Sequence, residues 1–341
     1  MTSGAETDGK ADAINIARTY LETGNYERAR EVVSQQLSQD PNDPVLLAVY
    51  ADAELRLENY PSAAESARAA LSIMPSDAAT MRIYALAIDG MGRSAEALEL
   101  AWRSAIDNPN DPVAHWFYAW LLHDSREFGS ALIVVDEALR LRPSFTRALF
   151  LRGLILRRLG RIEESIAAYQ RVLELDPDNA EALHNLAVNR LARGKLGRAL
   201  TGLLGAARLD PMLGDLARVN IGLVLSKMLS PAAVIALVLG VATVVAGVVS
   251  ADGDPTAQPR IVVGLITAAL IVALWRVHGM VPRHVFKGAV RRRPSLVIRV
   301  VHAVAGVGCG LWVTAIGVPA CSIAAGFALA VVGLFLVKVD P

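Results

Sequence analysis

Only two cysteines, Cys309 and Cys321, occur among the 341 residues, and both fall inside apolar runs. Two are too few for a disulfide scaffold, and without a CxxC spacing they form neither a zinc knuckle nor a dithiol redox centre. Catalytic signatures are missing as well. The chain has no GxxxxGK[ST], HExxH or GxSxG and no Cys/His cluster, so no enzyme, metal site or cofactor is expected. Asp252-Gly253-Asp254 is a fragment of a calcium loop and reads as a turn. Gly306, Gly308 and Gly310 follow no strand, so they make no nucleotide loop, and no nucleic-acid partner is expected. Aromatic residues are few, at 6%, whereas hydrophobic residues reach 53%. So much apolar content, mostly aliphatic, excludes a disordered chain.

An excess of one charge is absent only from the total. The formal net charge is +1, yet residues 1–139 carry 10 basic and 22 acidic residues, residues 140–227 carry 15 and 8, and residues 229–341 carry 9 and 3. Lysine is scarce, 5 against 29 arginines, a bias that points to a GC-rich bacterial genome. Met1 to Lys10 is polar and lacks an apolar core, so no cleaved signal peptide is expected and residues 1–9 read as a disordered N-terminus.

What is present is a repeat. Pro41, Pro75, Pro109, Pro143, Pro177 and Pro211 stand 34 residues apart. A small residue precedes each by 24 positions: Ala17, Ala51, Ala85, Ala119, Gly153 and Ala187. Another precedes each by 12: Ala29, Ala63, Ala97, Ala131, Ser165 and Ala199. Apolar residues recur at helical spacing on both sides of a short break such as Thr23-Gly24-Asn25 or Leu159-Gly160-Arg161. Small residues let two helices approach closely, and proline ends the second helix because it has no N–H to donate. Asp40-Pro41-Asn42-Asp43 and Asp176-Pro177-Asp178-Asn179 place capping side chains before the next helix. One pair cannot bury its own apolar face, so the pairs stack.

Over residues 10–213 the pattern resembles the tetratricopeptide repeat family. Ala180–Leu213 is its clearest unit, with Leu186, Ala187, Ala199, Leu203, Ala206 and Pro211 in the family's places. The early tryptophan of the family is replaced by Ala13, Leu47, Met81, His115, Leu149 and Leu183. The resemblance implies an all-α fold, a superhelical solenoid of about six helix pairs, with residues 214–228 as a closing helix, so that the first domain is 10–228.

Residues 229–341 read as a membrane domain. Between Lys227 and Asp252 lie 24 uncharged residues, enough to cross a hydrocarbon core of about 30 Å at 1.5 Å per residue. Ile261–Trp275 is shorter and needs Arg260 and Arg276 to reach outward to headgroups. The 35 uncharged residues of Ala303–Val337 exceed one span, so they divide around Gly317–Ala320, next to Pro319. Four transmembrane helices follow, near 230–250, 259–277, 296–316 and 320–338. Arg299 and His302 are expected at an interface, reaching out to water. The loop 278–295 is basic and acid-free, whereas the first loop carries Asp252 and Asp254. By the positive-inside rule the basic loop, both termini and the repeats are cytoplasmic, at a bacterial inner membrane.

The tetratricopeptide resemblance implies a concave groove for a protein or peptide, lined by Arg82, Trp116, Trp120, His123, Arg147, Phe150, Leu154, Arg157, His184 and Val188. Trp116, Trp120 and His123 are spaced i, i+4, i+7 and share one helix face. The alternative for the tryptophans is packing between neighbouring repeats. Arg283, Lys287, Arg291, Arg292 and Arg293 form a loop suited to anionic lipid headgroups, or serve topology alone. Gly306 with Gly310, and Gly326 with Ala330, allow close helix contact, either inside the chain or in a homo- or hetero-oligomer. The expected function is a membrane-anchored adaptor or scaffold, such as an assembly factor of an envelope or secretion complex. The rival reading is a small transporter or channel subunit regulated by the repeats. The membrane runs hold no acid and only scattered Thr243, Thr267, Thr314 and Ser322, which argues against ion coupling.

Overall fold

A computed structural model of the chain describes residues 2–251, 257–281, 286, 294–317 and 320–339. All regular structure among these residues is helical, and the chain divides into two compact units, residues 1–176 and 177–341.

The first unit holds five helix pairs: α1 (Thr2–Glu22) with α2 (Tyr26–Leu37), α3 (Pro44–Arg56) with α4 (Tyr60–Ile73), α5 (Ala78–Gly90) with α6 (Ser94–Asp107), α7 (Pro112–Asp124) with α8 (Phe128–Leu141), and α9 (Thr146–Arg158) with α10 (Ile162–Leu175). Helix α1 begins at Thr2, so residues expected to precede the fold continue its first turns; no proline interrupts them.

Both columns of small residues are buried at the helix crossings. In the fifth pair glycine and serine replace alanine, and they do so together. The Ser165 hydroxyl donates to the Gly153 carbonyl at 2.6 Å, and a Cβ on Gly153 would lie 2.7 Å from the buried Tyr169 ring. The missing methyl group makes room for the phenol, and burial raises the Tyr169 pKa.

A second device repeats at every break. Gly24, Glu58, Gly92, Arg126, Gly160 and Gly194 all have positive φ, between 60° and 79°. Around each, the next residue's N–H reaches back five residues, as in Asn25 to Tyr20 at 2.8 Å and Arg161 to Leu156 at 2.9 Å. This left-handed cap satisfies carbonyls that the helix end leaves open. The following pair is then started by Asp43, Asp77, Asp111 or Asn179, whose side chains accept backbone N–H bonds; Phe145 occupies that place before α9 and makes no such bond.

The second unit starts with the sixth pair, α11 (Ala180–Ala192) and α12 (Leu196–Leu209), followed by α13 (Gly214–Ala251), α14 (Ala257–Met280), α15 (Pro294–Ile316) and α16 (Ala320–Val339). The expected closing helix and the first apolar run are one continuous helix of 38 residues, with Pro231 inside it. Its first half packs Ala217, Ile221, Val224 and Leu225 against Ala199, Leu200 and Leu203 of α12, in a cluster that also includes Val277 of α14 and Leu296 of α15. Its second half packs Ala236 and Leu239 against Leu270 of α14 and Ala303 of α15. The change from polar to apolar composition therefore falls inside one helix.

Helix α16 runs antiparallel to α13 at very close range. A Cβ on Gly240 would lie 2.6 Å from the Gly326 carbonyl oxygen and 2.8 Å from the Ala330 nitrogen. Gly306 faces Leu270 and Ala236, and Gly310 faces Thr267. The small residues that the sequence offers for oligomers are thus used within the chain.

Pro211–Val249, Gln258–Met280 and Ser295–Ile316 are long and apolar enough to cross a membrane by length and composition; Ser322–Val337 is apolar but shorter. Helix α15 ends at Ile316, and Gly317 follows with φ +110°, as the division of the long run requires. Asp252, Asp254 and the basic loop residues Arg283, Lys287, Arg291, Arg292 and Arg293 lie outside the described residues.

Three polar side chains do not reach outward as expected. Arg260 of α14 donates Nη2 to the carbonyls of Thr314 at 2.7 Å and Ala315 at 3.3 Å, in the last turn of α15. Arg299 of α15, 2% exposed, donates Nη2 to the carbonyl of Leu336 at 2.9 Å, in the last turn of α16. His302, 4% exposed, donates Nε2 to the Leu329 carbonyl at 2.8 Å. For the two arginines the reason is geometric. Antiparallel neighbours bring the first turns of one helix beside the last turn of the next, where carbonyls lack intrahelical donors and the dipole favours a cation.

Candidate partner-binding site

The first helices of the pairs, α5, α7 and α9, contribute the face that the sequence singles out. Trp116 and Trp120 are half-buried on α7, one helical turn apart. Trp116 packs between repeats, against Phe145 with ring centroids 6.0 Å apart, whereas Trp120 stacks on Phe117 of its own helix at 6.2 Å. The rest of each indole stays open, so the tryptophans serve packing and surface at once.

Arg147, exposed at the start of α9, places its guanidinium 5.7 Å from the Trp116 ring centroid. This is a cation–π pair formed across two repeats. On α5, Arg82 donates Nη1 to the Ala78 carbonyl at 3.0 Å and is half-buried. Burial lowers its pKa, Asp111 and Asp77 oppose that effect, and Arg147 adds to it. The charge of Arg147 is thus felt at Arg82 together with the opposing charges of Asp111 and Asp77, so basic and acidic groups stand near one another at the starts of these helices.

Further along, His123 lies half-buried against the Phe128 ring at 5.5 Å. Burial lowers its pKa, with a smaller lowering from Arg158 and a counter-effect from Asp124. Phe150 makes an edge contact with Tyr169 at 5.6 Å, and Leu154 and Arg157 are half-buried on the same helix. Trp116, Trp120 and Arg147 therefore form an aromatic and basic patch, with Arg82 and the acids Asp77 and Asp111 within electrostatic reach of it, while His123 and Phe150 spend much of their surface on packing within their own helix pairs.

His184 and Val188, in the second unit, are not open in the same way. His184 is buried, and its Nε2 lies 3.4 Å from Nδ2 of Asn220 in α13; Val188 packs into the cluster that holds α12 and α13. Helix α13 covers this face of the sixth pair. Sequence reasoning missed Phe145, which supports Trp116 from the capping position before α9, and Asn220; the break in the capping pattern at residue 145 was the available signal for the first.

Among the described residues no group of three His, Cys, Asp or Glu is placed to hold a metal ion. The patch offers stacking, cation–π and ionic contacts, which is recognition chemistry.

Comparisons with known proteins agree with the repeat. Tetratricopeptide repeat profiles match residues 14–78 and 153–188. Protein O-mannosyl-transferase Tmtc3 of Drosophila melanogaster is 32% identical over 94 residues, which is 27% of this chain and 10% of that protein, so the chain matches about a tenth of that relative's length. Among solved structures, Pseudomonas aeruginosa pilF is similar with TM-score 0.51 and 18% identity, over 61% of this chain and 94% of that one. A chain of the APC/C hetero-tetramer Cut9-Hcn1 is similar with TM-score 0.53 and 18% identity, over 60% of this chain and 41% of that one. These likenesses concern the fold. The repeat profiles, together with the 34-residue period and its buried small columns, show that the chain contains tetratricopeptide repeats.

Proposed function

We propose that the chain is a membrane-anchored adaptor whose repeats recruit a protein or peptide partner to the cytoplasmic face of a bacterial inner membrane, in the assembly of an envelope or secretion complex. The observation that carries the reading is the half-buried pair Trp116 and Trp120 with the Arg147 guanidinium over the Trp116 ring and Arg82 within its electrostatic reach. It suits a segment with an apolar or aromatic anchor and acidic neighbours, because indole faces take the anchor and the arginines take carboxylates. Phe150, Leu154 and Arg157 extend this face. Tethering raises the local concentration of whatever binds.

In this reading α13 to α16 form a four-helix transmembrane bundle with both termini cytoplasmic, and the basic loop sits among anionic headgroups. The hydroxyls of Thr243, Thr267 and Thr314 each donate to a carbonyl one turn back in their own helix. Such bonds leave no polar track of threonines through the helices, which favours an anchor over a transporter. Nothing in the patch suggests catalysis.

The test is alanine at Trp116, Trp120 and Arg147 in the full chain, with partner recovery from membranes as the readout. Recovery should fall at least about tenfold if these anchors carry the usual interface energies. Unchanged recovery from a chain with unchanged helicity overturns the site.

A further inference from the structure

Helix α13 passes from its repeat-packing half to its apolar half at Pro231. Proline has no N–H, so the Lys227 carbonyl, four residues earlier, receives no helix bond from it. Beside this place lies a cavity of about 610 Å³ lined by residues of α13 that include Lys227, Ser230, Pro231 and Val234. Ser226 is buried, Ser230 half-buried and Lys227 exposed. Lys227 is the last charged residue before 24 uncharged ones, which sets it at the edge of the hydrocarbon if α13 spans the membrane as proposed above. Past the cavity, Val234, Val238, Val241 and Val245 stand exposed along one face of the helix.

A cation and a half-buried hydroxyl, Ser230, above a valine track match the two ends of a phospholipid. We propose that this notch binds one anionic phospholipid, its phosphodiester held by the Lys227 ammonium with the Ser230 side chain beside it, and an acyl chain lying along Val234, Val238 and Val241. A free phosphate would use the notch but not the track. A partner helix would need an acidic side chain at this level, whereas the lipid supplies charge and apolar length together at the depth where headgroups lie. The inference rests on the membrane reading of α13 but not on any reading of the repeats.

The test is native mass spectrometry of the full chain purified in mild detergent and offered phosphatidylglycerol or phosphatidylcholine with identical acyl chains. The wild-type chain should retain one phosphatidylglycerol in preference to phosphatidylcholine. Lys227→Gln should lower that occupancy about fivefold, the effect of one basic residue at an anionic surface. Lys227→Arg should keep it, and Arg276→Gln, exposed on α14, should leave it unchanged. Equal retention by Lys227→Gln, equal retention of phosphatidylcholine, loss on Arg276→Gln, displacement by millimolar inorganic phosphate, or a copurifying protein in place of the lipid each overturns the proposal. Alkaline carbonate extraction separates the two levels. A chain that stays in the membrane pellet but shows no Lys227-dependent lipid refutes the notch alone; a chain released to the supernatant refutes the membrane reading beneath it.

Discussion

The guanidinium of Arg299 in α15 donates to the carbonyl oxygen of Leu336 in α16 at 2.9 Å, with Arg299 almost wholly buried. Arg260 makes the same kind of bond to the last turn of α15. In an apolar bundle these arginines join one helix's start to the next helix's end, where carbonyls have no other helical donor. Their role is to fix helix register.

Arg299→Met is therefore expected to destabilise the helices by about 1–3 kcal/mol, the usual result of leaving a buried polar partner unsatisfied. Denaturant titration of the full chain in micelles measures it. Arg276→Gln, at an exposed position, should stay within about 0.5 kcal/mol. Equal effects of the two substitutions would contradict the inward role.

Close approach of α13 and α16 is equally open to test. Gly240→Val places new carbon against the Gly326 carbonyl and the Ala330 nitrogen, backbone atoms that cannot swing aside. The expected cost is about 1–3 kcal/mol. Gly279→Ala, with nothing within 4 Å of the added methyl, should be neutral or slightly stabilising in the same titration. A tolerated Gly240→Val would mean that the helices are not packed at this distance.

In the first unit the left-handed breaks carry glycine at most positions but Glu58 and Arg126 at two. An L side chain there is strained by roughly 1–2 kcal/mol, partly offset by the extra chain entropy of glycine. Glu58→Gly and Arg126→Gly should each stabilise by about 0.5–1 kcal/mol. Gly160→Ala should destabilise by about 1 kcal/mol. Amide hydrogen exchange over the flanking helices measures all three, and the opposite signs would refute the cap assignment.

The helix pairs were legible in the sequence because prolines and small residues mark positions where one packing solution repeats every 34 residues. The left-handed column was half-hidden, since Glu58 and Arg126 occupy places that composition alone assigns to a helix. Continuity of α13 was hidden for another reason. Hydropathy changes at Lys227, while backbone hydrogen bonding does not follow hydropathy, and Pro231 lies within the helix without ending it. Periodicity likewise shows which residues share a helix face but not what lies opposite. That is why Arg260 and Arg299 looked like outward anchors, and why His184 looked open when Asn220 of α13 stands over it.

His123 supplies a pH test. Its folded pKa is below the ordinary value of 6.5, mainly through burial, so the unfolded chain takes up a proton more readily than the folded one. Stability from this group is present above pH 6.5 and is lost as pH falls from there through the lower folded value. Exchange protection of α7 and α8 should therefore decrease between pH 7.5 and pH 5.5, after correction for intrinsic exchange rates. His123→Gln should flatten that dependence. A slope unchanged by the substitution assigns the effect to other groups.

The most direct measurement of membrane recruitment through the repeat face is where the partner resides. With a partner identified by its copurification, its distribution between membrane and soluble fractions is compared in cells making the wild-type chain or the Trp116→Ala, Trp120→Ala, Arg147→Ala triple variant at equal membrane abundance. The account predicts that the partner moves at least about tenfold toward the soluble fraction in the variant. A partner that stays on the membrane unchanged, with the variant folded and present, would contradict it.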